Sequence, residues 1–196
     1  MKKGKFIIIE GGEGSGKSTI VKYIIQKLHN RKVIATREPG GSKVAEDIRK
    51  AFINDKLDPI SQLFCFLAAR AVWVEQVLKP TLEKGITVIS DRSFPTTYSY
   101  QGIVGGVGLA KVVSLNEIVM RGIKPDLVII LDIDAKTGLQ RSHQTGDVNA
   151  FERAGLEFHT KANKAYLALA KKYHWKIVDA RQPLEQVKKQ VLDLTS

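Results

Sequence analysis

Short apolar runs recur along the chain, separated by longer segments in which apolar residues return every three or four positions. Short runs rich in apolar and β-branched residues are typical of strands, and the longer periodicity is typical of amphipathic helices. The runs that read as strands are Phe6–Ile9, Val33–Thr36, Thr87–Ser90, Leu127–Leu131 and Lys176–Val178. Because they alternate with helical segments, the pattern predicts a three-layer α/β fold, a five-stranded parallel sheet with helices on both faces.

The detailed pattern adds three expectations. The strand runs lack strict alternation of apolar and polar residues, which predicts strands buried on both faces. The first helix carries one apolar stripe and is closed by Asn30. That stripe consists of Ile20, Val21, Ile24, Ile25 and Leu28. The segment Gln101–Gly108 is so rich in glycine that we predict a mobile loop there rather than regular structure.

The segment between the first strand and the first helix matches the phosphate-binding pattern G-x-x-x-x-G-K-[ST]. Its residues are Gly11, Gly12, Glu13, Gly14, Ser15, Gly16, Lys17, Ser18 and Thr19. Glycines let successive N–H groups converge on phosphate oxygens, and the helix that follows favours the same anion. In such a P-loop Lys17 reaches the β- and γ-phosphates and Ser18 binds Mg²⁺. A chance match in a chain of this size arises on the order of once in a hundred, so we favour the nucleotide site.

Polar residues follow each of the other four strands. In an open parallel sheet ligands lie at the carboxyl ends of the strands, where these residues meet. They are Arg37–Gly41, Asp91 and Arg92, Asp132, and Asp179–Pro183. The pattern therefore predicts one converging site beside the P-loop.

Individual members of this set have alternatives. The fork of Arg37 suits bidentate binding of an acceptor phosphate, although it could simply cap the sheet surface. Asp91 follows an apolar run as a Walker-B acid does, and could hold Mg²⁺ or its water shell, whereas a surface Asp-Arg dipeptide would contribute almost nothing to stability. Asp132 and Asp134 compete for the metal role, but we favour a helix start for both.

Arg70 is the only charged residue between Ile60 and Val74. Its guanidinium either extends out of the helix or faces a polar ligand in a cleft. Phe66 lies four residues earlier on the same helical face, where an aromatic plane and a donor fork could hold a flat base. The segment Thr96–Gln101 is rich in donors and acceptors, and the Gln101 amide can offer both to a base edge.

The global composition sets limits. The 196 residues are most simply one domain, and 43% are hydrophobic. The single cysteine, Cys65, and the lack of a signal-like N-terminus lead us to expect a cytoplasmic protein. The longest uncharged runs are too short to span a bilayer, so no membrane partner is expected. The net charge is +11, but the basic residues are scattered in pairs, so no nucleic-acid partner is expected. The histidines show no metal-ligand spacing, and no transition metal is expected.

Several motifs occur in a specific order. They are the P-loop, Arg37–Gly41, Ala68–Arg70, Asp91-Arg92, Tyr100–Gly102, Lys124–Leu127, Ala165–Leu167 and Asp179–Pro183. With these motifs the chain resembles the bacterial thymidylate kinase family essentially from end to end. The resemblance implies a single domain over residues 1–196 with a lid at about 141–154, and usually a homodimer. It implies transfer of the γ-phosphoryl group of ATP, with Mg²⁺, to dTMP, giving dTDP for dTTP synthesis.

The resemblance also implies roles for individual residues. For dTMP, Arg37 and Arg92 would hold the phosphate and Phe66 would stack on thymine. Arg70, Thr97 and Gln101 would read the base edge, Tyr100 would pack on the sugar, and Glu13 would lie near its 3′-hydroxyl. For ATP, Arg141 would stack on adenine, with Ala180 and Gln182 lining its pocket. Catalysis would depend on charge neutralisation by Lys17, Arg92 and a lid arginine, with Asp91 at the metal.

The lid departs from the family pattern. Members with an acid in the P-loop, as Glu13 is here, usually carry several lid arginines, including an Asp-Arg pair. Here that pair is Asn149-Ala150, and other basic positions are His143 and Thr145. Arg153 is then the best candidate for the cation that closes over the γ-phosphate. Loss of one such arginine costs about 10³ or more in related reactions, so we predict a slow enzyme or a rearranged lid.

Other functions were weighed against this one. The nearest is another nucleoside monophosphate kinase, acting on dUMP, CMP or dGMP, and a catalytically weakened nucleotide-binding homologue is a further alternative. A GTP-binding switch would need an Asn-Lys-x-Asp motif after a late strand. The only Asn-Lys pair, Asn163-Lys164, is followed by Ala165 and Tyr166 in a helical segment, which argues against a switch.

Overall fold

The computed structural model describes residues 3–143 and 154–195. Its strands are β1 (Phe6–Gly11), β2 (Val33–Arg37), β3 (Thr87–Asp91), β4 (Leu127–Asp132) and β5 (Lys176–Asp179). They form one sheet in the order β2-β3-β1-β4-β5, and every pairing is parallel. The predicted fold class is confirmed. Each strand runs one or two residues beyond its predicted end, because the ladder includes the polar residue that opens the next loop.

The prediction that every strand is buried on both faces is wrong for the two edge strands. The central strand β1 is buried throughout. In β2, Ala35 and Arg37 are exposed, and in β5 Ile177 is 49% exposed. An edge strand has a neighbour on one side only, so the flanking helices cover it less completely.

Helices occupy the connections between strands. They are α1 (Lys17–Lys27), α2 (Lys43–Phe52), α3 (Pro59–Trp73), α4 (Lys79–Glu83), α5 (Phe94–Thr97), α6 (Leu109–Met120), α7 (Ala135–His143), α8 (Gly155–Tyr173) and α9 (Leu184–Thr195). A π-helical turn, Val74–Leu78, joins α3 to α4, and a second, Tyr98–Val104, continues α5. The stripe predicted for the first helix is confirmed in its main part, since Ile20, Val21 and Ile24 are buried.

The expectation of a loop without regular structure at Gln101–Gly108 is wrong for its first half. Residues up to Val104 belong to the π-helical segment, where Gln101 and Gly102 are buried. A Cβ on Gly102 would lie 3.5 Å from the Val112 side chain, so this segment is packed against α6. Gly102 therefore lies in a packed helical segment rather than in a free turn, and a Cβ there would make ordinary van der Waals contact with α6.

The sheet separates two apolar cores, and β1 contributes to both. On one side Phe6 and Ile8 pack with residues of α3, α6 and α8, including Trp73. On the other side Ile7 and Ile9 pack with residues of α1 and α9. Alternate side chains of a strand point to opposite faces, so the middle strand fixes both layers of helices. Its carboxyl end then carries the P-loop to the centre of the sheet edge.

Within residues 3–143 and 154–195, no helix combines the length and the apolar character that crossing a membrane requires.

Candidate active site

The P-loop forms a tight turn between β1 and α1. The backbone angle φ is 144° at Gly11, 64° at Gly14 and 91° at Gly16, and residues with a Cβ rarely adopt such values. Helix α1 begins at Lys17, so its free N–H groups face the space in front of the loop. Lys17 Nζ donates to the carbonyl oxygens of Gly12, at 2.7 Å, and Gly11, at 3.1 Å. The loop is therefore a preformed anion cradle with its cation folded back over it.

Burial lowers the pKa of Lys17. Its side chain is buried, and this desolvation lowers its pKa to about 8, helped by the nearby positive charge of Arg92. The carboxylates of Glu13, Asp91 and Glu10 oppose the shift but do not cancel it. The P-loop cation thus titrates close to neutral pH in the ligand-free protein.

Ser18 and Asp91 meet at the exit of the loop. The Ser18 hydroxyl donates to Asp91 Oδ2 at 2.5 Å, across 73 residues of sequence. Asp91 ends β3 and pairs in register with Ile9 of β1 and Arg37 of β2. The structure thus brings together the two residues that the sequence predicts as metal ligands. A hydroxyl and a carboxylate are oxygen donors of the kind that Mg²⁺ prefers.

Arg92 lies at the centre of the site. Its backbone has a left-handed φ of 68°, unusual for a residue with a side chain, and its N–H donates to Ile9 O at 2.9 Å. Its guanidinium donates to Glu13 Oε1 at 2.7 Å and to Gly11 O at 3.3 Å. Although burial opposes the charged form, the Glu13 carboxylate raises the Arg92 pKa well above its usual value. The arginine predicted to bind the acceptor phosphate is therefore held charged against the P-loop.

Glu13 is the partner that holds it. Its side chain is 12% exposed, and the Tyr100 hydroxyl donates to the same Oε1 at 3.4 Å. Burial alone would raise the Glu13 pKa, but the charges of Arg92 and Lys17 lower it below its usual value. Glu13 is thus ionised at neutral pH and links the P-loop to the predicted sugar-facing tyrosine.

A cleft of about 630 Å³ opens in front of the P-loop. Its lining includes P-loop residues 13–18, Thr19, Arg37, Glu38, Arg49, Asp91 and Arg92. At its far end it includes three residues predicted for the adenine pocket, Arg141, Ala180 and Gln182. Arg141 Nη1 donates to Ala180 O at 3.1 Å, so α7 and the loop after β5 meet there. The same cleft therefore borders the residues predicted for the phosphate site and those predicted for the adenine site.

A second, smaller cavity has a volume of about 60 Å³. Its lining includes four of the residues predicted to contact the acceptor nucleotide, Phe66, Arg70, Arg92 and Tyr100. Glu38, Arg49 and Arg92 line both the cleft and this cavity. The two spaces are therefore adjacent and meet at a wall that carries two arginines.

Arg70 does not extend out of its helix, since only 1% of the residue is exposed. Its Nε donates to Glu38 Oε2 at 2.6 Å, its Nη1 to Asn116 Oδ1 at 3.1 Å and its Nη2 to Thr97 Oγ1 at 3.0 Å. Asn116 in turn donates to the Tyr98 hydroxyl at 3.2 Å. Arg70 thus lies in the cavity wall with protein partners, and its contact with a base stays a prediction.

Among the predicted site residues that the structure describes, four line neither space. Thr97 is fully buried, and its hydroxyl oxygen accepts a hydrogen bond from Arg70. Gln101 Nε2 donates to Gln62 Oε1 at 3.0 Å. Within the part of the chain that the structure describes, the buried Gln101 Oε1 has no hydrogen-bond partner. Gly11 and Gly12 are absent from the cleft lining, and their carbonyl oxygens accept hydrogen bonds from Lys17 Nζ. Their predicted roles in ligand binding stay predictions.

Arg37 is placed at the cleft but is already paired. Its Nε and Nη2 donate to the two oxygens of Glu46 at 3.1 and 2.9 Å, and the arginine side chain is 58% exposed. This fork raises the Arg37 pKa and lowers that of Glu46. An acceptor phosphate would have to compete with this carboxylate or share the guanidinium with it.

Arg49 is a site residue that the sequence did not indicate. It lies on α2, three residues after Glu46, lines both spaces and donates to Pro39 O at 3.3 Å. Burial, and then the charge of Arg37, lower its pKa from the usual arginine value. The sequence could have indicated Arg49 only through its place in the helix that follows the Pro39–Gly41 turn.

Glu10 was also missed. It ends the apolar run of β1, is fully buried, and accepts hydrogen bonds from Ser93 N at 2.8 Å, Thr96 N at 3.1 Å and Tyr166 Oη at 3.2 Å. Burial raises its pKa, opposed by Arg92. A charged residue in an otherwise apolar strand was the available signal. Glu10 fixes the backbone that follows Arg92.

Two predictions remain to be placed. Asp134 accepts from Thr137 N at 2.9 Å and so starts α7, as expected. The expected helix start is wrong for Asp132, which is the half-buried last residue of β4 because it pairs with Asp179 in the ladder. Arg153 and most of the lid at 141–154 lie outside the described residues. The lid cation therefore stays a prediction.

Comparison with known proteins identifies the family of this chain. The thymidylate kinase family model matches residues 9–191. A protein of Hahella chejuensis named thymidylate kinase is 40% identical over 194 residues, which cover 95% of this chain and 93% of that protein. A thymidylate kinase of Francisella tularensis subsp. holarctica is 40% identical over 196 residues, covering 96% and 94%. The match spans the P-loop, the acceptor residues and the adenine-side loop, and the chain therefore belongs to the thymidylate kinase family.

Proposed function

We propose that this protein transfers the γ-phosphoryl group of ATP to dTMP, producing ADP and dTDP for dTTP synthesis. The observation that carries the proposal is the wall shared by the large cleft and the small cavity, which contains Glu38, Arg49 and Arg92. A nucleoside triphosphate on one side of this wall and a monophosphate on the other would bring donor and acceptor phosphates together. Such positioning is the main requirement of phosphoryl transfer.

ATP binds along the larger cleft. Its β- and γ-phosphates occupy the P-loop, where residues 12–16 and the start of α1 supply N–H groups and Lys17 supplies a cation. Occupation would draw Lys17 Nζ from the carbonyls of Gly11 and Gly12 to the phosphate oxygens. Adenine lies at the far end, stacked on Arg141 and bordered by Ala180 and Gln182.

The proposal includes a Mg²⁺ ion carried in with ATP. Ser18 Oγ and Asp91 would hold it, directly or through its water shell, since they already meet at the mouth of the P-loop. When bound, the ion neutralises charge on the β- and γ-phosphates. Loss of the Ser18–Asp91 hydrogen bond would free both oxygens for this purpose.

dTMP binds at the smaller cavity and its opening. Arg92, Arg49 and Arg37 surround the acceptor phosphate, and Phe66 stacks on thymine. Arg70 reads the base edge together with Thr97 and Gln101, while Tyr100 and Glu13 face the sugar. The cavity of about 60 Å³ is smaller than a nucleotide, so binding requires the groups around it to separate. The Arg92–Glu13 and Arg37–Glu46 pairs are the contacts that the phosphate and sugar would replace.

The reaction is an in-line displacement. An oxygen of the dTMP phosphate forms a bond to the γ-phosphorus, and the bond from that phosphorus to the β,γ-bridging oxygen breaks. Its electron pair leaves with ADP. Because the attacking phosphate is already an anion, no general base is needed. Lys17 and Arg92 stabilise the charge that spreads over the transferred group.

The lid remains part of the proposal. Arg153 would add a cation over the γ-phosphate, and the enzyme would be slow if no other lid cation replaces those absent from the sequence. The arginines at the shared wall supply positive charge from the acceptor side, which supports activity even with a poorly charged lid.

The proposal extends to assembly and location. A homodimer is supported by large apolar side chains left exposed on α3, where Ile60 and Phe64 are 56% and 57% exposed. Residence in the cytoplasm is supported by the single cysteine, Cys65, which is free.

A coupled assay of ADP release across a panel of monophosphates tests the proposed function. We expect turnover with dTMP above that with dUMP, dCMP or dGMP, and loss of turnover when Mg²⁺ is chelated. Confinement of activity to a purine monophosphate would overturn the substrate assignment. Tight binding of ATP and dTMP without ADP release would instead identify a catalytically weakened nucleotide-binding protein.

A further inference from the structure

Asn116 is a buried polar residue that the proposed mechanism leaves without a role. It lies on α6, is 3% exposed, and lines neither the cleft nor the smaller cavity. Its Oδ1 accepts from Arg70 Nη1 at 3.1 Å and its Nδ2 donates to the Tyr98 hydroxyl at 3.2 Å. Both ends of the amide are therefore used, which fixes its orientation.

Arg70 has five N–H donors and no acceptor. The protein engages three: Nε with Glu38, one Nη1 hydrogen with Asn116 and one Nη2 hydrogen with Thr97. Among residues 3–143 and 154–195, the other hydrogen on each terminal nitrogen has no partner. These partners come from two helices, α5 and α6, and from the loop after β2, so they hold the guanidinium plane from several sides. Asn116 is the partner that holds Nη1, so loss of its acceptor leaves the direction of the remaining donors less constrained.

The chemistry of the base gives this direction a consequence. A donor-only group in a buried wall favours a keto oxygen and disfavours an amino group, because two donors cannot pair. Thymine carries a keto oxygen at position 4, where cytosine carries an amino group. A guanidinium held opposite this position would select thymine, while one that can swing aside would not.

We propose that Asn116 is a positioning residue that holds Arg70 toward the 4-keto oxygen of the base and thereby sets the preference for dTMP over dCMP. The inference rests on the proposed function, since it requires dTMP at the smaller cavity. It assigns Asn116 an effect that reaches the substrate only through Arg70. Tyr98 contributes one step further back, by anchoring the Asn116 amide.

The test compares four variants with the wild-type enzyme. Asn116→Leu keeps the size of the side chain and removes its acceptor, whereas Asn116→Asp keeps an acceptor for Arg70. Tyr98→Phe removes only the hydroxyl that anchors the amide. Met120→Ala is the matched control, because Met120 is buried one turn further along α6 in the apolar core. The measured quantities are kcat and KM for dTMP and ATP, the inhibition constant of dCMP, and the melting temperature.

We expect Asn116→Leu to lower the ratio of dTMP to dCMP affinity about tenfold, mainly through the KM for dTMP, with the KM for ATP within about twofold. Asn116→Asp should restore the ratio to within about threefold of wild type, and Tyr98→Phe should lower it by a smaller factor than leucine does. Met120→Ala should melt earlier without changing the ratio.

An unchanged ratio in Asn116→Leu, or an equal fall in Met120→Ala, would overturn the inference. If the leucine variant does not fold, an unchanged ratio in Tyr98→Phe would overturn it equally. Wild-type enzyme without dTMP turnover would overturn the proposed function itself. Normal turnover with dTMP, combined with unaltered selectivity in the variants, would reject only the role of Asn116.

Discussion

Lys17 is the residue in which burial and function conflict most directly. Phosphate binding requires its charge, yet desolvation lowers its pKa to about 8 in the ligand-free protein. Its hydrogen bonds to Gly11 and Gly12 compensate part of the lost hydration. A bound triphosphate adds negative charge beside the ammonium and raises the pKa again. Binding of ATP and protonation of Lys17 are therefore linked.

This linkage predicts a pH dependence. The charged form of Lys17 is present below its pKa of about 8 and is lost as pH rises above it. We expect kcat/KM for ATP, which reports the free enzyme, to be level from about pH 7 to about 8 and then to fall about tenfold per pH unit. The kcat at saturating ATP should stay level to a higher pH. A value of kcat/KM that is constant up to about pH 9.5 would show that Lys17 keeps its ordinary pKa.

The residues that sequence alone identified are those whose neighbours in the chain reveal them. The P-loop spacing found Lys17 and Ser18, and the end of an apolar run found Asp91. Asn116 gave no such signal, since its partner Arg70 is 46 residues away and its own segment looks like an ordinary amphipathic helix. Arg49 was hidden for the same reason. Residues that act through contacts distant in sequence become visible only when the fold brings them together.

At the scale of elements, helix α7 is docked onto the P-loop through two glycines. A Cβ on Gly138 would lie 2.3 Å from the Glu13 carbonyl oxygen, and one on Gly14 would lie 1.9 Å from the Gly138 carbonyl oxygen. Both are distances that real Cβ contacts do not reach. Since α7 also carries Arg141 to Ala180, this contact fixes the adenine side relative to the phosphate side.

Substitution of Gly138 by alanine should therefore separate α7 from the P-loop. Alanine suits the helical backbone, but its methyl group meets a backbone carbonyl that has no rotamer to change. We expect kcat/KM for ATP to fall at least about tenfold, because displacements of about 1 Å in a catalytic site cost up to about 10² in rate. Steady-state kinetics with varied ATP measures the effect.

Gln140→Ala provides the matched control, because Gln140 is an exposed residue of the same helix. It should leave kcat/KM for ATP within about twofold of wild type. Equal kinetics for Gly138→Ala and wild type would mean that α7 can shift without disturbing the loop. Comparable melting temperatures would show that any loss in the variant is local.

Element boundaries show where sequence patterns stop being informative. The strands were located within two residues because apolar runs mark them directly. The last four residues of the π-helical segment Tyr98–Val104 were predicted as a loop, because a high glycine content usually indicates a flexible backbone. The packing of Gly102 on Val112 overrides that local preference. Tertiary contacts of this kind produce no repeating pattern of apolar and polar residues in the sequence.

For the whole molecule, the decisive feature is a sheet shared by two apolar cores. Ile7 and Ile8 are neighbours in β1, each at most 1% exposed, yet they belong to opposite cores. Because both cores depend on the same central strand, neither layer of helices can keep its packing when the other is lost. The predicted single domain should therefore unfold as one cooperative unit.

The two tryptophans make this cooperativity measurable, since Trp73 lies in the core that contains Ile8 and Trp175 packs against it. Ile7→Ala leaves a defect in the opposite core and should lower the free energy of unfolding by about 2–5 kcal/mol. In urea, tryptophan fluorescence and far-UV circular dichroism should report the same lowered midpoint with an unchanged slope. Ile8→Ala, in the core that contains Trp73, should likewise lower the fluorescence and dichroism midpoints to the same value. Both tryptophans lie in or against the core opposite Ile7, so their fluorescence responds to Ile7→Ala only if the shared sheet unfolds. A fluorescence midpoint that stays at the wild-type value while the dichroism midpoint falls would therefore show that the α1 and α9 side unfolds separately.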